Sequence, residues 1–108
     1  MGEHDAMMAR FVHDYLELLD HRVSSIRHHL DQRNFMTAHV ALLSLESTSV
    51  MVGAEELASA AGRLREAVEE GERDEVDDLM TAVAGEAERT REQLAQGGAA
   101  PDQEQPDP

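Results

Sequence analysis

The chain contains no cysteine and no tryptophan, only two phenylalanines and one tyrosine, and no proline before Pro101. Each absence closes a class of protein. Without cysteine there is neither a disulfide framework nor a thiolate metal site. With Pro101, Pro106 and Pro108 as the only prolines, nothing breaks a helix over the first hundred residues. No apolar run approaches the roughly 20 residues that a membrane-spanning helix takes, and no basic and then apolar leader is visible at the start. The expectation is a soluble, cytoplasmic protein without a membrane partner. Basic residues are scarce too: nine Lys and Arg stand against 23 Asp and Glu, a formal net charge of −14. Such a field repels phosphate backbones and argues against nucleic acid as a partner. The acidic residues are spread along the chain, as on a solvated surface rather than a cation store.

What is abundant favours helix. Ala, Leu, Glu, Met and Arg dominate, and 108 residues suit one domain. Val12, Leu16, Leu19, Val23, Ile26 and Leu30 step by 4, 3, 4, 3, 4, which predicts a long helix from about residue 5 to 32. Asn34 is placed to cap a second helix, whose inward seam is Phe35, Ala38, Leu42, Leu45, Ser49 and Val52. Gly53 stops it. A third helix turns Leu57, Ala61, Leu64 and Val68 inward and ends at Gly71, a natural left-handed cap. The fourth carries Val76, Met80, Val83, Ala87, Thr90 and Leu94. Connections at 31–34, near 53 and at 71–74 are short, so successive helices should be antiparallel neighbours in an all-α four-helix bundle over residues 1–96. Gly62 and Gly85, beside Ala58, Ala61 and Ala84, suggest close helix–helix approach. From residue 97 the sequence G-G-A-A-P-D-Q-E-Q-P-D-P has no apolar period and predicts a disordered acidic tail over 97–108.

Residues 43–54 read L-S-L-E-S-T-S-V-M-V-G-A. They resemble the phosphoacceptor helix of histidine phosphotransfer (HPt) domains, H-T-L-K-G-S-x-x-x-L-G-A, in the register of Leu45, the small residues Ser47 to Ser49, Val52 and Gly53-Ala54. The resemblance extends over most of residues 8–96. Asn34-Phe35 matches the family's turn, eight residues before the histidine position; Gly53 to Leu57 matches G-A-x-x-L; Leu64 to Gly71 is similar to L-x-x-A-x-x-x-G. It implies an HPt-like bundle in two-component signalling, with a response-regulator receiver domain or a histidine kinase as partner. The family's phosphoacceptor imidazole attacks an aspartyl phosphate on the receiver. Here that position is Leu43, which has no nucleophile. Glu46 stands where Lys or Gln helps hold the phosphoryl oxygens, and its charge would repel them. Ser47 replaces the glycine that lets the partner approach. These departures imply a pseudo-phosphotransfer module that binds without carrying phosphate. The alternative is a carrier using a displaced histidine, His39, one turn before Leu43 and near the same face.

A second apolar stripe, Met36, Val40, Leu43 and Val50, lies well over about 90° from the inward seam of the second helix. With Glu46 and Ser47 it forms the candidate docking face, for a receiver, a kinase or a second copy in a homodimer. The competing expectation is that Met7 and Met8 fold over it. Elsewhere, His13, Glu17, His21 and His28 share one face of the first helix, but no inward carboxylate supports a di-iron site, so they read as a polar outer face and no metal is assigned. Tyr15 reads as packing. There is no nucleophile elbow, glycine-rich phosphate loop or H-E-x-x-H, and the Ser47–Ser49 hydroxyls diverge around the helix. No enzyme activity and no cofactor are expected.

Overall fold

A 4-3-4-3 apolar step leaves a helix with one stripe to bury, and here the stripes of four helices meet in one core. The computed structural model describes residues 3–97. Among them are α1 (Glu3–Asp31), α2 (Phe35–Met51), α3 (Glu55–Glu70) and α4 (Arg73–Gly97), with no strand. The acidic tail expected from residue 97 falls, from residue 98 onward, outside the described residues. None of these helices is long and apolar enough to cross a membrane.

The core is built from Leu19, Ile26 and Leu30 of α1, Ala38, Leu42 and Leu45 of α2, Leu57, Ala61 and Leu64 of α3, and Val76, Met80, Val83 and Ala87 of α4. Leu16, Val23, Phe35, Val52, Val68 and Leu94 flank it, partly buried. Each fully buried leucine or isoleucine contributes roughly 1.5–3 kcal/mol relative to an exposed one. Tyr15 is also core, and its hydroxyl shares a 2.7 Å hydrogen bond with the buried Ser49 Oγ.

Cross-helix pairs give the directions. Tyr15 meets Ser49 and Arg22 meets Ser44, so α1 and α2 run antiparallel. His39 meets Glu69 and Glu46 meets Arg65, so α2 and α3 do too. The guanidinium of Arg73, opening α4, lies 4.4 Å over the ring of Phe35, opening α2, so these two helices start at the same end. α1 packs on α2 and α4, and α3 packs on the same two. At 29 residues α1 outruns the 17 of α2 and the 16 of α3. The side chains of residues 6–10 stand exposed beyond them, in a molecule 52 Å long and 23 × 18 Å across.

Three helix ends close alike. Arg33, Gly53 and Gly71 take the left-handed conformation, with φ of 63°, 82° and 72°. The following amide in each case reaches back to a carbonyl in the last turn: Asn34 to His29, Ala54 to Ser49, Glu72 to Ala67. This is the Schellman pattern, which satisfies carbonyls that the helix leaves open. It also corrects one expectation. Asn34 occupies the N-cap position of α2 but makes no side-chain capping bond. Its backbone (φ −90°, ψ 72°) is committed to closing α1, and Ala54 before α3 has nearly the same angles (φ −87°, ψ 73°). Neither is in the extended conformation from which a side chain reaches its own helix.

The interior glycines behave differently from each other. A Cβ on Gly62 would lie 2.8 Å from Glu46 Oε2, so the glycine makes room for an α2 side chain rather than for a helix backbone. Gly85 serves no close approach: the nearest atom to a Cβ there is Arg89 Nη2, at 3.9 Å on its own helix.

Candidate functional site

α2 is apolar on two opposite sides. Its inner side supplies Ala38, Leu42, Leu45 and Ser49 to the core. Its outer side presents Met36, Val40, Leu43, Val50 and Met51, exposed by 81, 62, 46, 61 and 61%. Ser47 lies exposed among them, its hydroxyl turned back to the Leu43 carbonyl at 3.0 Å. Met7 and Met8 do not cover this stripe: they stay 68 and 46% exposed on α1. Met51 was not foreseen as part of the face, although it lies one turn beyond Ser47. Other helices put charge on their outer sides; along the α2 stripe there is none.

Polar bridges rim the stripe on both flanks. Toward α1, Arg22 Nη1 donates to Ser44 Oγ at 3.0 Å. Toward α3, Glu46 is held by two guanidinium bonds of Arg65, from Nε at 2.8 Å and from Nη2 at 3.4 Å. Arg65 also reaches Glu69 at 3.2 Å through Nη1, and Glu69 in turn bonds His39 Nε2 at 2.5 Å. The chain Glu46–Arg65–Glu69–His39 thus ties α2 to α3. The Glu69 carboxyl is held below the usual carboxylate range, first by the His39 hydrogen bond and then by Arg65. The Arg65 guanidinium is pushed further up, chiefly by its bond to Glu46.

This geometry bears on each expected site residue. Leu43 lies in the middle of the exposed stripe, with Met36 and Val40 before it and Val50 after it. Glu46 and Ser47 follow on the next turn, Ser47 within the stripe and Glu46 at its α3 edge. Glu46 is not a free negative charge, because Arg65 engages both its oxygens. His39 is not a fully exposed neighbour of Leu43. It leans toward α3, with its side chain 30% exposed and its Nε2 occupied by Glu69. Arg65 and Glu69 went unread in the sequence. The spacing that could have found them is Arg65 to Glu69, one turn apart on α3, facing Glu46 and His39, two turns apart on an antiparallel helix.

The histidines of α1 gather no site. His13 and Glu17 lie 3.4 Å apart and two-thirds exposed. His28 and His29 meet edge to face at 5.7 Å between ring centres. Among the described residues, no group of three or more His, Asp or Glu side chains is placed to hold a metal ion. Chemically, then, the face offers apolar contact with a hydrogen-bonded rim and, at its centre, no nucleophile. Comparison of the chain with protein-family models, curated proteins and solved structures finds no match.

Proposed function

We propose that this chain is an HPt-like antiparallel four-helix bundle and acts as a pseudo-phosphotransfer module of a two-component phosphorelay. It docks a receiver domain through the outer face of α2 and does not carry the phosphoryl group. The observation that carries this reading is the exposed, uncharged stripe centred on Leu43, at the position where the HPt resemblance expects the phosphoacceptor histidine. A carrier must form an N–P bond while the O–P bond of the receiver's aspartyl phosphate breaks and its carboxylate leaves. Leucine supplies no lone pair for that step. Removing the nucleophile while keeping an apolar surface turns a transient exchanger into a binder, able to sequester a response regulator or scaffold a relay.

Two contacts weigh against the alternative carrier. His39 Nε2 is hydrogen-bonded to Glu69; in the tautomer that donates this N–H, Nε2 has no lone pair to offer and the free one lies on Nδ1. Even in the other tautomer, an incoming phosphoryl group would meet the carboxylates of Glu69 and Glu46. Arg65, the cation that bridges these two carboxylates, is already engaged by both.

Phosphoramidate, a histidine-selective phosphoryl donor, tests the chemistry. Intact-mass and acid-lability analysis should find no rapid uptake in wild type. Fast uptake of one acid-labile group, abolished by His39→Ala, would make the chain a carrier with a displaced histidine. Titration against isolated receiver domains tests the docking. Micromolar binding lost in Val40→Glu and Leu43→Arg is expected, whereas binding indifferent to both substitutions would place the interface elsewhere.

A further inference from the structure

We infer that the outer face of α2 also binds a second copy of this chain, in a symmetric dimer with Leu43 at its centre. This does not depend on the phosphorelay reading; it rests on three features of α2. The first is periodicity. Met36, Val40, Leu43, Ser47 and Val50 step by 4, 3, 4, 3, the same step as the core seams of α1 and α4. This is a second seam of coiled-coil type, about 21 Å long, and the element that fills such a seam is another helix. Among the described residues it has none: every large side chain on it is about half exposed or more.

The second feature is charge. Two copies at a formal −14 each repel one another over most of their surface. α2 has only His39 and Glu46 as ionisable residues, and both turn toward α3 and are hydrogen-bonded there. The outer sides of α3 and α4, by contrast, carry Glu55, Glu56, Glu66 and Glu70, and Asp74, Glu75, Asp77 and Asp78. Of the outer faces of α2, α3 and α4, that of α2 is where two such chains meet with the least like-charge contact.

The third feature is self-matching. A two-fold contact uses the same patch on both copies. Leu43 lies midway between Met36 and Val50, so it meets its own counterpart whether the two α2 helices run parallel or antiparallel. Ser47, small and beside it, leaves room for the opposing leucine. A single stripe of about five side chains on one helix is a small patch, at the low end of what a specific contact buries. Association is therefore weak and reversible. The dimer hides the face proposed for the receiver, so self-association and docking compete.

The full chain should be run in sedimentation velocity from about 10 to about 500 µM, a range that brackets a weak dimer. Wild type is expected to approach twice the 11.9 kDa of one chain at the upper end. Raising NaCl from about 0.1 to about 0.5 M should tighten the dimer, since salt screens the acidic repulsion and leaves the apolar contact. Leu43→Arg, at an exposed position that leaves the core intact, should weaken association more than about tenfold with unchanged circular dichroism. The cysteine-free background permits a second readout: Leu43→Cys should form a disulfide-linked dimer under mild oxidation, and Ser59→Cys on α3 should not. A wild type monomeric at every concentration and salt, or a dimer that survives Leu43→Arg, overturns the inference. Monomeric wild type that still binds a receiver refutes the dimer alone; a Leu43-dependent dimer that binds no receiver or kinase refutes the docking reading alone.

Discussion

Tyr15 and Ser49 satisfy each other inside the core, where an unmatched hydroxyl is more costly than an absent one. Tyr15→Phe should therefore cost about 1 kcal/mol in urea unfolding by leaving Ser49 without its partner, and the double variant Tyr15→Phe/Ser49→Ala should cost less than the sum of the singles. Burial raises the Tyr15 pKa above its ordinary value of 10.0, outweighing the opposite pull of Ser49 and Arg22. The folded chain keeps a proton that the unfolded chain releases near pH 10. The stability associated with it is present below pH 10 and is lost as pH rises beyond it, and Tyr15→Phe should flatten that alkaline limb. The two interior glycines separate cleanly at this scale. Gly85→Ala meets only Arg89 Nη2, at an ordinary contact distance of 3.9 Å, and should raise stability by about 0.5–1 kcal/mol through helix propensity. Gly62→Ala gains the same propensity but pushes Glu46 off Arg65, so its net effect should be near zero.

At the scale of elements, the informative comparison is between the turn after α1 and the turn after α2. They share the same left-handed residue and the same backbone angles at the next one, but one uses Arg33 and the other Gly53. Glycine adopts that conformation without steric cost, and a residue with a Cβ does not. Arg33→Gly should stabilise the protein by about 0.5–1 kcal/mol, measured as an increased denaturation midpoint. Gly53→Ala should destabilise it by about 1 kcal/mol, through backbone strain alone, because a Cβ there touches nothing within 4 Å. Gly53 and Gly71 were readable as helix stops from their residue type. Arg33 was not, because arginine carries no preference for the conformation that the short turn imposes. Asn34 misled for a related reason: its cap chemistry was right for the position, but the turn had already set its backbone.

For the whole molecule, the decisive contrast is between Leu42 and Leu43. Neighbours in sequence and identical in chemistry, they point about 100° apart on a helix, one into the core and one into solvent. Leu42→Ala should cost about 2–5 kcal/mol, since a cavity opens among buried side chains. Leu43→Ala should change monomer stability by less than about 0.5 kcal/mol and show its effect in binding instead. α2 is apolar on both sides, so its own sequence admits either stripe as the inner one. What selects the Leu42 side is the partnership with α1 and α3: Tyr15 finds Ser49, and Arg65 and Glu69 find Glu46 and His39, only with that face turned inward.

The sequence by itself determined the number of helices, the seams of α1, α3 and α4 and two of the three stops, because these follow from local periodicity and from glycine's conformational freedom. Met80, Val83 and Ala87, or Leu57, Ala61 and Leu64, could be named as core without any partner in view. Tertiary structure alone decided the electrostatic character of the candidate face. Glu46 read as a bare repulsive charge and His39 as an open imidazole until α3 brought Arg65 and Glu69 against them. Those contacts join residues 19 and 30 positions apart. Only the antiparallel packing of α2 on α3 brings such residues within hydrogen-bonding distance, and no local pattern encodes that distance.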